Sequence, residues 1–174
     1  MSCVCAIVKD GNVFMAADSI GVADTYIARR ADPKIFRNGE HLFGYAGNVR
    51  CGQVLYPNFF TPPKDIHELP DAIRAQYKEK GCMSTSDTGA DRFESLLLVG
   101  FQGKIYYIMA DFQLGENSED FLACGSGQSY ALAILYHTMK IKDPNKRLEK
   151  AVKAASYFCT EVGGEIQFEY LEGK

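Results

Sequence analysis

Short apolar runs alternate with turn residues along most of the chain. Residues 2–8 (Ser-Cys-Val-Cys-Ala-Ile-Val) form one such run and Val13 to Asp18 another, with Asp10-Gly11-Asn12 between them. This is the pattern of a β-hairpin. A second hairpin is expected from Lys34–Arg37 and Glu40–Phe43 around Asn38-Gly39. A third is expected from Phe93–Phe101 and Lys104–Ala110 around Gln102-Gly103, and a strand over Phe121–Cys124 ends at Gly125-Ser126-Gly127. Helical spacing appears elsewhere. A helix is expected near residues 48–56, ended by Pro57 and Pro62-Pro63, and a second from about Asp65 to Lys80, followed by a polar loop over Ser84–Asp91. Ala131, Ile134, Leu135 and Thr138 recur at i, i+3, i+4, i+7, and Leu148, Val152, Ala155 and Cys159 do much the same. Asp143-Pro144 suits the start of the second of these helices and Gly163-Gly164 its end. Glu165–Leu171 then alternates as a final strand.

The order is strands, two helices, strands, two helices, strand. Hairpins imply antiparallel sheets, and two sheets with a helix pair on each outer side make a four-layer αββα sandwich of the α+β class. At 174 residues, without a visible linker or repeat, the expectation is one domain over residues 1–174.

Composition narrows the function classes. Apolar residues are 47% and charged residues 24%, which is a globular balance. The net charge is −3 and Lys and Arg are scattered, so nucleic acid is not an expected partner. No apolar run approaches the ~20 residues of a membrane span, and Lys9 and Asp10 end the first run too early for a secretory signal. The six cysteines form no CxxC pair and sit mostly in apolar segments, which suits buried thiols in a reducing cytoplasm rather than disulfides or a metal site. No cofactor motif is present. His41, His67 and His137 lack matched partners and read as structural.

Candidate chemistry lies at the start. Removal of Met1 would leave Ser2 with a hydroxyl nucleophile and an α-amine whose ordinary pKa, about 7.7–8.0, suits a general base. Many chains begin Met-Ser, so this pair alone decides nothing. Asp18 and Lys34 follow sixteen and thirty-two positions after Ser2. The segments Ser2–Val8, Gly11–Asp18, Lys34-Ile35-Phe36, Gly44-Tyr45-Ala46-Gly47, and Ala123–Gly127 followed by Tyr130–Ala133 together resemble the proteasome β-subunit and HslV family of N-terminal-nucleophile hydrolases. The resemblance touches most of the chain and is clearest over the first 50 residues and at 123–135.

The resemblance implies a role for each matching residue. Ser2 stands where the family has a catalytic Thr. Lys34 would lower the cost of deprotonating the Ser2 hydroxyl, and Asp18 would hold Lys34 charged and oriented. The Gly44 N–H would be the oxyanion donor, and Ser126 would hydrogen-bond the amino terminus. Without the resemblance, Asp18 and Lys34 read as a surface ion pair, Gly44 as a packing glycine, and Gly125-Ser126-Gly127 as a plain turn or weak phosphate cradle. Cys3 is the next nucleophile to consider. Three departures stand out: Ser for Thr, a shorter hairpin between Lys34 and Gly44, and Cys159 and Val162 where the proteasome subunits have a supporting Asp and Ser. The implied function is a cytoplasmic peptidase subunit that acts on peptides or unfolded protein, assembles as a homo-oligomeric ring and pairs with a ring ATPase. The alternatives are a small-molecule amidase on the same fold and a catalytically silent ring subunit.

Overall fold

The computed structural model describes residues 2–23, 25–85 and 89–173. The first hairpin pairs β1 (Val4–Lys9) with β2 (Asn12–Ala17). Asp10 (φ 51°) and Gly11 (φ 74°) make its turn, both in the left-handed region that a two-residue hairpin turn demands. A small hairpin not expected from the sequence follows, β3 (Ile20–Ala23) with β4 (Tyr26–Arg29). Next come β5 (Ile35–Asn38) and β6 (His41–Gly47), and then α1 (Val49–Gln53), which is capped by the Asn48 side chain.

A 3-10 turn at Ile66–Glu68 leads into α2 (Leu69–Glu79). The expected polar loop is in part a two-residue pairing of β7 (Ser84–Thr85) with β8 (Asp91–Arg92), and its residues 86–88 lie outside the described residues. The chain continues through β9 (Ser95–Phe101), β10 (Lys104–Ile108), β11 (Leu114–Glu116) and β12 (Phe121–Cys124). It closes with α3 (Gln128–His137), α4 (Pro144–Phe158) and β13 (Gln167–Leu171). The Asp143 carboxylate accepts the N–H groups of Asn145 and Lys146, a cap of a kind that contributes about 1 kcal/mol to a helix.

Two antiparallel sheets form the centre, β12-β1-β2-β13 and β11-β10-β9-β6-β5. Three apolar cores separate four layers. Val4, Met15, Ile35, Leu42 and Leu98 lie between the sheets. Phe43, Tyr45, Leu69, Ile73 and Tyr77 join the five-stranded sheet to α1 and α2. Cys3, Ile7, Leu135, Leu148, Val152 and Ala155 join the four-stranded sheet to α3 and α4. The four-layer αββα sandwich is therefore the fold. Among the described residues no helix is long and apolar enough to cross a membrane.

One local expectation shifts by a residue. Asn38 is not a turn residue but the last of β5, paired with His41, and Gly39 (φ 60°) takes the left-handed position. Asn38 is buried because its Nδ2 donates to Leu55 O (3.0 Å) and Phe60 O (2.8 Å), which ties the segment after α1 to the sheet.

Candidate active site

The site forms where β1, β2 and β5 begin or end together at one edge of the sandwich. Ser2 precedes β1, Asp18 follows β2, and Lys34 precedes β5. All three are buried. Lys34 Nζ donates to Asp18 Oδ1 at 2.9 Å and to Ile20 O at 2.5 Å. Asp18 Oδ1 also accepts the Cys3 N–H at 2.9 Å, so the residue following Ser2 is fastened to the same oxygen. Asp18 Oδ2 takes N–H groups from Ile20 (3.4 Å) and Gly163 (3.3 Å). The pair is thus no surface ion pair, since the two side chains are 2% and 1% exposed.

Burial of an ammonium disfavours its charge, and burial is the main reason the Lys34 pKa lies below its ordinary value. The Asp18 carboxylate opposes that shift, while Arg30 adds to it. Arg30 is itself paired with Asp32, which also accepts from Gln53 Nε2 at 3.4 Å. Among the described residues no cluster of three or more His, Cys, Asp or Glu could hold a metal ion.

Ser126 comes to Ser2 from across the sheet. The Ser2 nitrogen donates to Ser126 Oγ at 3.2 Å, and the Gly127 N–H donates to Ser2 O at 3.2 Å. Gly125 (φ 94°) is needed here, because a Cβ would lie 2.2 Å from Ser2 O. The strand-to-helix turn therefore grips the Ser2 backbone. Met1 lies outside the described residues.

Gly44 does not fit the role expected of it. Tyr45 N–H donates to Lys34 O (3.1 Å), on the β5 side of β6, and Asn48 N–H donates to Glu94 O (2.9 Å), on the β9 side. Successive N–H groups alternate between the two edges of a strand. That alternation directs the N–H of Gly44 to Leu98 in β9, its register partner, and the N–H of Gly47 to the side on which β5 has already ended. Gly44 is glycine for packing, since a Cβ would meet Val4 Cγ1 at 2.6 Å between the sheets. Gly47 (φ 119°) is glycine because a Cβ would meet Glu94 O at 2.4 Å. The structure thus brings Ser2, Asp18, Lys34 and Ser126 together and leaves Gly44 in the sheet.

Sequence reasoning missed three contributors. Gln167 Oε1 accepts the Lys34 N–H at 2.9 Å, Ile20 O accepts the Lys34 ammonium, and Gly163 supports Asp18. Gly163 belongs to the Gly-Gly pair expected to end the last helix and Gln167 to the expected final strand, but neither signal points to Asp18 or Lys34.

No family model matches the chain. Curated relatives do. It is 27% identical over 168 residues to the ATP-dependent protease subunit HslV of Petrotoga mobilis, covering 94% of this chain and 93% of that one. It is 25% identical over 172 residues to the HslV subunit of Pseudothermotoga lettingae, covering 97% and 96%. Among solved structures, Thiobacillus denitrificans BPH superposes with a TM-score of 0.84 at 22% identity over 99% of this chain and 98% of that one. The same protein is known in complex with epoxomicin. HslV of Trypanosoma brucei superposes with a TM-score of 0.72 at 20% identity over 98% and 99% of the two chains.

The sandwich of two antiparallel sheets between helix layers is thus the fold that BPH and HslV share, and this chain carries a buried Asp18–Lys34 pair at its edge. In sequence the chain is similar over nearly its whole length to HslV protease subunits, and it resembles the proteasome β/HslV-like family.

Proposed function

We propose that this chain is a peptidase subunit whose nucleophile is the Ser2 hydroxyl, made N-terminal by removal of Met1. The observation that carries the reading is the buried Lys34–Asp18 contact of 2.9 Å, fastened through the Cys3 N–H to the segment that begins at Ser2. A buried ion pair is weak evidence for stability, and its retention against the segment that begins at Ser2 is better accounted for by chemistry.

The Ser2 α-amine accepts the hydroxyl proton as Oγ attacks a substrate carbonyl. Lys34⁺ stabilises the developing negative charge on Oγ, and Asp18 keeps the ammonium charged and aimed. We assign the oxyanion contact to the Gly47 N–H, which points to the open edge beyond β5, in place of Gly44. Collapse of the tetrahedral intermediate breaks the C–N bond. The leaving amine takes the proton from the α-ammonium, and a serinyl ester remains. Water then attacks the ester by the same route and releases the acid.

Ser126 Oγ, at 3.2 Å from the Ser2 nitrogen, orients the amine. Peptide or unfolded polypeptide is the substrate class, after the relatives named as protease subunits. A homo-oligomeric ring fits the exposed aromatic side chains of α3 and α4. Tyr130 stacks on Phe158 at 5.3 Å, and Tyr136 and Tyr157 are largely exposed. A ring ATPase is the expected partner, after the same names.

Intact mass after incubation with epoxomicin tests the reading. Chains that begin at Ser2 should gain one inhibitor mass, whereas Ser2→Ala chains and chains retaining Met1 should gain none. Unchanged labelling of Ser2→Ala would transfer the nucleophile to another residue, Cys3 first.

A further inference from the structure

The Asp18 carboxylate divides its work between its two oxygens. Oδ1 faces the reacting side, with Lys34 Nζ and Cys3 N–H both at 2.9 Å. Oδ2 faces away and is held by Ile20 N–H, two residues along, and by Gly163 N–H, 145 residues along the chain. A carboxylate can turn about its Cβ–Cγ bond, because that sp³–sp² torsion is soft. Which oxygen meets Lys34, and at what angle, is thus decided by what holds the far one.

Gly163 is well placed to do this. It belongs to a tight turn after α4, closed by Val162 N–H donating to Cys159 O at 3.1 Å, and Val162 is buried against the α3–α4 core. The contact with Asp18 is reinforced in reverse, since Ser19 N–H donates to Gly163 O at 3.0 Å. Gly164 makes the close approach possible. It sits at φ 77°, and a Cβ there would lie 2.5 Å from Ser19 Oγ and 3.0 Å from Ile20 Cγ2. Both contacts fall on the segment that carries Asp18 and the Ile20 carbonyl, the two acceptors of the Lys34 ammonium.

We propose that Gly163 is a positioning residue of the active site, its N–H locking the Asp18 carboxylate toward Lys34, and that Gly164 is glycine so that this turn can reach Asp18. The inference rests on reading Asp18 and Lys34 as the catalytic pair. It assigns to the end of α4 a direct hold on that pair.

Gly164→Ala tests it. The added methyl should push Ser19 and Ile20 away from the turn and weaken both supports of Lys34⁺. Turnover should fall about ten-fold or more with KM little changed, since a displacement of about 1 Å costs up to 10²-fold. The alkaline limb of the pH–rate profile should move to lower pH, because Lys34 is faced by Asp18, Arg30 and Cys3, and Asp18 is the main favourable charge among them. The same shift should appear in the 13Cε titration of Lys34 by NMR. Ser19→Ala in the Gly164→Ala background removes the closest contact and should restore part of both readings, and it supplies a folded variant if Gly164→Ala alone does not fold.

Gly81→Ala is the control. Gly81 has a similar φ of 68° with nothing within 4 Å of a Cβ, so it carries the backbone strain without touching the site, and it should leave the Lys34 titration unchanged. A wild-type Lys34 titration in Gly164→Ala, or an equal shift in Gly81→Ala, overturns the proposal. The titration reads the contact whether or not the chain is active. A wild-type chain that never reacts with epoxomicin therefore counts against the peptidase reading, while the Lys34 shift still decides the role of Gly163.

Discussion

The β5–β6 hairpin carries a buried basic side chain near each end, and the two are treated in opposite ways. Lys34, at its foot, and His41, just past its turn, are each 2% exposed. Lys34 has a carboxylate and a carbonyl within hydrogen-bond distance. His41 lies between aromatic rings, 4.5 Å from Phe101 and 5.8 Å from Phe43 between centroids, and neither ring nitrogen has a hydrogen-bond partner among the described residues. Burial lowers both pKa values. For Lys34 the neighbouring Asp18 opposes the shift, whereas His41 falls to about 4 and is held neutral. Burial alone therefore does not make a site. An ionised group survives in an interior only where partners surround it, and such partners are what chemistry can use.

Removal of the charge at the foot of the hairpin should have the greatest consequence. Lys34→Met keeps most of the side-chain volume and should cut turnover by about a thousand-fold or more, as loss of a catalytic triad member does. Reactivity toward epoxomicin should vanish with it. Lys34→Arg should fail as well, because a planar guanidinium does not replace a compact ammonium. Near-normal turnover in either variant would refute the role.

Removing the partner instead should expose the cost of an uncompensated charge. Asp18→Ala should destabilise the fold by about 3–5 kcal/mol, and Asp18→Ala with Lys34→Met by clearly less. Urea unfolding of the two single variants and the double variant measures the coupling. Additive losses would mean that the pair is not one unit.

At the other end, acid should be the stress. His41 is lowered to about 4 in the fold against an ordinary 6.5, so the unfolded chain binds the extra proton first. Stability should therefore be intact above about pH 6.5 and fall as pH drops toward 4, by about 3 kcal/mol for this one group. In His41→Phe that part of the slope should disappear from denaturation midpoints measured between pH 4 and 7. A slope equal to wild type would place the acid sensitivity elsewhere.

The smallest expected effect lies at the surface. Lys153 and Glu149 form an i,i+4 pair on α4, with Lys153 66% exposed. Lys153→Ala should change stability by about 0.5 kcal/mol or less, since exposed pairs contribute little. Thermal melts of this variant beside Asp18→Ala set the scale of what burial does to one ion pair.

Much of the architecture was legible because it is local. Asp10-Gly11 and Gln102-Gly103 supply left-handed turn residues between apolar strands, and the hairpins form there. Asp143-Pro144 starts α4, and Leu148, Val152 and Ala155 turn one face of it to the sheet. The β3–β4 hairpin is not legible in the sequence because Tyr26–Arg29 is mostly exposed, without the alternation that burial on one face imposes, and because no Asn-Gly or Gly-Gly pair lies between the two segments.

By itself, the sequence determined the layer order, the main hairpins and the spacing of Ser2, Asp18 and Lys34, since all depend on neighbours close along the chain or on motifs held in a fixed order. Only the tertiary structure decided which glycine of Gly44-Tyr45-Ala46-Gly47 turns its N–H to the open edge, because that depends on which strand pairs on each side and where it stops. It also decided that the Asp18–Lys34 pair is buried, and that Gln167 and Gly163 reach it from 133 and 145 residues away. Such contacts arise from sheet register and from the turn after α4, and backbone N–H donors are present at nearly every residue, so no residue type marks the one that will be used.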